Sequence, residues 1–209
     1  MKLLKSIPWF LLYSRLAIAI LFLLVGFFKV EIYTTNYGWF LFLFCFGFIG
    51  DIFDGMIARK LKMDTSMLRK LDSIFDTFFW LGSALLLYIG QPELQNAIMF
   101  GFCTVFGIDL MEYAVSLIRF GKTPSPHNTL SKFFGLSLSI YFVLAFANVG
   151  PAWLAYIVFS FGIVARLDAL AIYLILKKWT HDIPSSYHAG LINKGIPFKR
   201  NKMFHSERK

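Results

Sequence analysis

The chain has 209 residues, 57% of them hydrophobic and 25 of them Phe, with a mean hydropathy of +0.63 and a formal net charge of +9. That composition excludes an ordinary soluble domain and points to an integral membrane protein of one polytopic domain. Its two cysteines, Cys45 and Cys103, each lie inside an apolar run, so neither a disulfide nor a thiolate metal site is expected.

Lys2 and Lys5 precede the first apolar run. The small residues Ala17 and Ala19 fall inside that run rather than after it, so an uncleaved membrane helix over about 7–28 is predicted and not a signal peptide. Further spans are predicted at about Tyr37 to Ala58, Leu71 to Ile89, Leu94 to Ile118, Phe133 to Val149 and Ala152 to Leu176. Each is long enough to cross roughly 30 Å of hydrocarbon at about 1.5 Å per residue. Pro92, Pro124, Pro126 and Pro151 fall in the connections, where proline is tolerated. The expected fold is all-α, a polytopic membrane protein with six transmembrane helices. Residues 1–182 form the membrane domain and 183–209 a basic, solvated tail.

Charge orients these helices. Arg59, Lys60, Lys62, Arg69 and Lys70 lie in the second loop, and Arg119, Lys122 and Lys132 flank the fourth. The first, third and fifth loops hold Lys29, Glu31 and Glu93. An excess of basic residues marks cytoplasmic loops, so both termini are expected inside, in the inner (cytoplasmic) membrane. The tail carries Lys194, Lys199, Arg200, Lys202, Arg208 and Lys209 against Glu207. Near anionic headgroups each basic residue contributes about 1 kcal/mol of adhesion, so the bilayer is its expected partner and a nucleic acid is not. His127, His181, His188 and His205 fall in loops or the tail without metal-ligand spacing.

The chemistry concentrates between Asp51 and Asp76. Asp51 and Asp54 are three residues apart and Asp72 and Asp76 four apart, so each pair shares one helix face. A short basic loop folds the two helices into a hairpin and brings both pairs to one depth, at the cytoplasmic surface. Carboxylates gathered near hydrocarbon repel and cost several kcal/mol unless paired. A hard divalent cation with oxygen ligands, Mg²⁺, Mn²⁺ or Ca²⁺, is their cheapest partner.

Asp51-x2-Asp54-Gly55-x2-Ala58-Arg59, followed by Asp72-x3-Asp76, resembles the signature of the CDP-alcohol phosphatidyltransferases. That pattern runs Asp-x2-Asp-Gly-x2-Ala-Arg-x8-Gly-x3-Asp-x3-Asp, and the chain departs from it once, with Leu68 in place of the second glycine. Pro8 and Arg15 similarly resemble the family's Pro-Asn-x2-Thr-x2-Arg, with Trp9 and Leu12 replacing its polar residues.

The resemblance implies transfer of a phosphatidyl or similar phospho-alcohol group from a CDP-linked lipid such as CDP-diacylglycerol to an alcohol, with release of CMP, in phospholipid biosynthesis. It implies two ions, Mg²⁺ or Mn²⁺, one held by Asp51, Asp54 and Asp72 and the other by Asp51, Asp72 and Asp76. Asp76 is the implied general base. Gly55, Ala58 and Arg59 would line the nucleotide, Leu68 would crowd it, and a homodimer is implied as well. Arg15 either faces a phosphate of the nucleotide lipid or snorkels to the interface.

A second polar set lies further on. Glu112-x6-Arg119 resembles the acidic-to-basic spacing of phosphatidylglycerophosphate synthases, although Met111 stands where those enzymes have arginine. Lys132 loosely resembles the family's Gly-Lys-x-Lys-Thr, whose second Lys and Thr are missing. With Arg166 these residues read as a pocket for the acceptor alcohol. The other reading is interhelical ion pairing, Arg166 with Asp109 or Glu112. Two classes of function stay open: a metal-dependent transferase, or a membrane protein without turnover that binds lipid or partner. Transport would need carboxylates strung across the bilayer, and the motif aspartates cluster at one face.

Overall fold

The computed structural model describes residues 2–60, 66–124, 128–180 and 183–196, with the side chains of 2–5, 54–56, 58–60, 66–70 and 73 outside the description. All regular structure among the described residues is helical. The helices are α1 (Lys2–Phe28), α2 (Val30–Thr35), α3 (Tyr37–Lys60), α4 (Ser66–Gly90), α5 (Gln95–Phe120), α6 (Thr129–Phe146), α7 (Ala152–Ile175) and α8 (Ser186–Asn193), and a single 3₁₀ turn, Pro92–Leu94, leads into α5.

Among the described residues, four stretches are long and apolar enough to cross a membrane: Ser6–Phe28, Pro92–Phe120, Thr129–Phe146 and Ala152–Ile175. In α3 and α4, which run 24 and 25 residues, the apolar stretches whose side chains fall among the described residues are Tyr37–Phe53 and Ile74–Gly90. By length and composition these helices suit a membrane protein. Trp39, Phe106, Ile118 and Trp153 are all at least half exposed, which water penalises and hydrocarbon does not.

The chain divides into two compact units, Met1–Ile98 with Tyr141–Ala152, and Met99–Ile140 with Trp153–Lys209. In the first, α1 packs along both α3 and α4. Gly82 permits the approach to α4, since a Cβ there would lie 2.8 Å from the Ala19 carbonyl oxygen. Phe44 anchors the core, with ring centroids 5.0 Å from Phe146, 5.4 Å from Phe79 and 5.9 Å from Phe142. Such aromatic pairs add about 0.5–1.5 kcal/mol beyond the area they bury. Away from the motif, the Gln91 amide donates to the Tyr33 hydroxyl at 2.5 Å and to the Ala145 carbonyl at 2.7 Å. Burial pushes the Tyr33 phenol up to about 12, so it stays a neutral hydrogen-bonding group at any physiological pH.

In the second unit, α5 ends where Gly121 takes φ 63°, the left-handed conformation that costs glycine no Cβ clash. The stretch expected to be a solvated tail starts differently. Ile183 and Ala189 are fully buried against Ile172, Tyr173 and Leu176, and α8 forms directly after Ser185. Two bonds hold this start down: Ser186 N–H donates to Asp168 Oδ1 at 3.0 Å, and Thr129 N–H to the Pro184 carbonyl at 2.9 Å. Apolar residues too sparse to read as a span thus still find a core. Residues 197–209, where most of the tail's basic side chains fall, lie outside the described residues.

Candidate active site

Three helices of the first unit meet at one charged point. Arg15 enters from the middle of α1, Asp51 from α3, and Asp72 and Asp76 from α4. The guanidinium of Arg15 donates through Nη1 to Asp51 and, at 3.4 Å, to Asp76, and through Nη2 to Asp72. The spacing of four on α4 turns Asp72 and Asp76 to the same face, which lets one planar cation reach both. Trp80 follows four residues further along, on the same face of α4 as Asp76.

Exposure at this point is lopsided. The Arg15 side chain is 1% exposed, whereas those of Asp51, Asp72 and Asp76 stay 36%, 42% and 41% open. A buried guanidinium is thus ringed by carboxylates that each keep a free edge. Among the described side chains three carboxylates face one guanidinium, so negative charge is in excess, and the donors are the hard oxygens that Mg²⁺ and Mn²⁺ prefer. The donor set therefore fits the implied ions in chemistry and charge. Among the described residues no three metal-ligating side chains close on a common point, and the side chain of Asp54 lies outside them.

Beside the carboxylates lies an apolar wall. Leu12 is 1% exposed and packs on Trp9, Leu71 and Phe75, and the Tyr13 ring sits 5.9 Å from that of Phe75. Trp9 and Leu12, the two departures from the family's polar pattern on α1, therefore have a packing role. The backbones of Asp54, Gly55, Ala58 and Arg59 continue α3, and that of Leu68 lies in the first turn of α4. Their side chains lie outside the described residues.

The second polar set falls in the other unit. Arg166 Nε lies 3.2 Å from Asp109 Oδ1, so the ion pair anticipated as one reading of these residues forms. Glu112, one turn on from Asp109, is buried at 5% exposure. Arg119 is engaged with the end of α7, donating to the carbonyls of Tyr173 at 2.6 Å, Leu176 at 3.1 Å and Leu174. Those are acceptors that every helix leaves unsatisfied at its C-terminus. Lys132 is half-buried in the first turn of α6.

Reasoning from the sequence missed Asn128, which is fully buried and joins several elements. Its amide donates to Asp168 Oδ2 at 2.9 Å and to the Ala165 carbonyl at 3.0 Å, and its Oδ1 accepts from Ser131 N–H at 3.3 Å. The last contact is the N-cap pattern Asn-x-x-Ser ahead of an apolar run, a signal that was available. It also missed Trp80, which the same i, i+4 rule that pairs Asp72 with Asp76 would have placed beside Asp76.

Neither the curated proteins nor the solved structures hold a match to this chain. The family comparison is decisive: residues 5–165, which include Arg15 and the aspartates gathered around it, match the CDP-alcohol phosphatidyltransferase profile. With most of its length covered and the motif side chains converging from α1, α3 and α4, the chain belongs to the CDP-alcohol phosphatidyltransferase family.

Proposed function

We propose that the protein moves a phosphatidyl group from a CDP-linked lipid, CDP-diacylglycerol in the simplest case, to an alcohol acceptor and releases CMP, as a step of phospholipid biosynthesis. The observation that carries this reading is the convergence of Asp51, Asp72 and Asp76 on one buried cation with their outer edges open. Family membership supplies the reaction class, transfer of a phospho-alcohol from a CDP-alcohol.

Asp51, Asp54, Asp72 and Asp76 are the residues that would hold divalent ions, Mg²⁺ or Mn²⁺ and in number two. When bound, such ions neutralise the donor's pyrophosphate and stabilise its leaving oxygen. The chain's own groups do the rest. Asp76, 41% open, takes the proton of the acceptor hydroxyl. The acceptor oxygen forms the new bond to the lipid-bearing phosphorus, and the bond from that phosphorus to CMP breaks. Gly55 and Ala58 leave room for the nucleotide, Arg59 pairs with a phosphate, and Leu68 narrows the nucleoside side. Glu112, Lys132 and Arg166 bind the acceptor, with Arg119 fixing α7 near its end.

Six helices span the bilayer in this reading, with α3 and α4 completing the four longer ones, and both termini and the aspartates face the cytoplasm. Residues 1–182 form the membrane domain, the remainder adheres to it and to the bilayer surface, and the protein works as a homodimer.

The deciding measurement is CMP release from CDP-diacylglycerol by the purified chain, with and without Mg²⁺ or Mn²⁺. Glycerol 3-phosphate, inositol phosphate, serine and an acidic phospholipid headgroup are offered in turn as acceptors. Metal-dependent release with one acceptor is the expected result. A folded protein that binds the CDP-lipid and releases no CMP with any acceptor is the lipid-binding homologue instead.

A further inference from the structure

The residues read as binding the acceptor stand on three different helices of the second unit: Glu112 on α5, Lys132 on α6 and Arg166 on α7. They can serve one small alcohol when those helices keep a fixed spacing, because a misplacement of about 1 Å can cost roughly a hundredfold in rate. The Arg166–Asp109 pair joins α7 to α5 and leaves α6 to be placed by other contacts.

The segment 183–196, which follows the end of the family match at residue 165, reaches all three helices. Each contact falls within about one turn of an acceptor residue. On α6, Thr129 N–H donates to the Pro184 carbonyl at 2.9 Å, three residues before Lys132. On α7, Asp168 Oδ1 accepts from Ser186 N–H at 3.0 Å, two residues after Arg166. Its Oδ2 accepts from the amide of Asn128, which directly precedes α6. On α5, Val115 lies three residues after Glu112, and it packs on the cluster that contains Ile183 and Ala189.

The far end of the segment is fastened as well. The Asn193 amide donates to the Ile175 carbonyl at 2.6 Å, and its oxygen accepts from Lys177 N–H at 3.0 Å. One side chain thus satisfies an acceptor in the last turn of α7 and anchors the end of α8. An isolated helix of eight residues is marginal, so α8 depends on these attachments for its own formation.

We infer that residues 183–196 are a strap that sets the spacing of α5, α6 and α7, and that Asp168 and Asn193 act through it as positioning residues for the acceptor alcohol. This rests on the reading of Glu112, Lys132 and Arg166 as the acceptor site. The strap's bonds named above lie within the second unit, whereas Arg15 and the motif aspartates belong to the first. Loosening the strap therefore weakens the acceptor's binding and spares the donor's.

The test uses the full chain in detergent with CDP-diacylglycerol and Mg²⁺. The acceptor is whichever of glycerol 3-phosphate, inositol phosphate and serine gives the fastest CMP release. Asn193→Ala should raise the acceptor KM roughly tenfold and change the donor KM by less than about twofold, the sign of binding lost on one side. Hydrogen exchange should quicken in the first turn of α6 and around Arg166. Asn193→Asp still accepts from Lys177 N–H and no longer donates to Ile175, so its acceptor KM should fall between the two. It decides the matter if Asn193→Ala cannot be purified. Tyr187→Ala, at an exposed position of α8, should match the wild type in both constants. A lower kcat with both KM values unchanged marks a smaller folded fraction and overturns the inference, as does an equal rise in both KM values or a raised acceptor KM in Tyr187→Ala. A wild type that releases CMP while the Asn193 variants keep its acceptor KM removes the inference alone. A wild type that releases no CMP with any acceptor removes the transferase reading and the inference with it.

Discussion

The two polar regions of this protein handle buried charge in opposite ways. Around Arg15, one cation faces three partly open carboxylates, and the balance is left negative. In the other unit, charges are matched locally. Arg166 meets Asp109, Arg119 satisfies backbone carbonyls at the end of α7, and Asp168 accepts from Asn128 and from the first turn of α8. A group with its hydrogen bonds filled has little left for a ligand, whereas an unbalanced, accessible cluster attracts one. By that contrast the first region suits a cation from outside the chain, while Arg119, Asn128 and Asp168 of the second hold helix ends.

The contrast breaks most easily by exchanging carboxylates for amides. Asp76→Asn should lower CMP release by roughly 10²–10⁴-fold, the range for loss of a general base, with the protein still inserted and folded. Asp109→Asn should cost less than about tenfold, a neighbour's effect on positioning rather than loss of a reacting group. A larger loss at Asp109 than at Asp76 would reverse the assignment of the two regions.

Stability changes sharpen the same comparison. Gly82→Val puts carbon against the Ala19 carbonyl where α1 meets α4, and should cost about 3 kcal/mol in reversible unfolding in detergent. Because α1 carries Arg15, that variant should also disturb Mn²⁺ binding. Arg119→Gln removes charged donors from the end of α7 and should cost about 2 kcal/mol. Its Mn²⁺ affinity should match the wild type, and a change there would mean that the second region does more than hold helices. The smallest effect is expected at Asp168→Ala, about 1 kcal/mol for a lost helix-terminal acceptor. Hydrogen exchange should then show α8 opening ahead of α7, and uniform exchange in both would deny α8 its dependence on Asp168.

The sequence alone carried the class, the helices and the motif. Apolar runs of membrane-crossing length predict the long helices within a few residues of where they lie, because hydrophobicity and helical period are local properties. The spacing of three and four residues placed each aspartate pair on one face for the same reason. Tertiary structure decided what those groups meet. That Arg15, 36 residues before Asp51 and 61 before Asp76, is their common partner depends on α1 packing closely on both α3 and α4, which Gly82 permits and no local pattern announces. Likewise, Arg119 reads from the sequence as part of an acceptor pocket, and only the fold brings the end of α7 to it. Residues 183–196 read as solvated because their apolar residues are few. Their core lies on α7, so its existence is a fact of packing and not of composition.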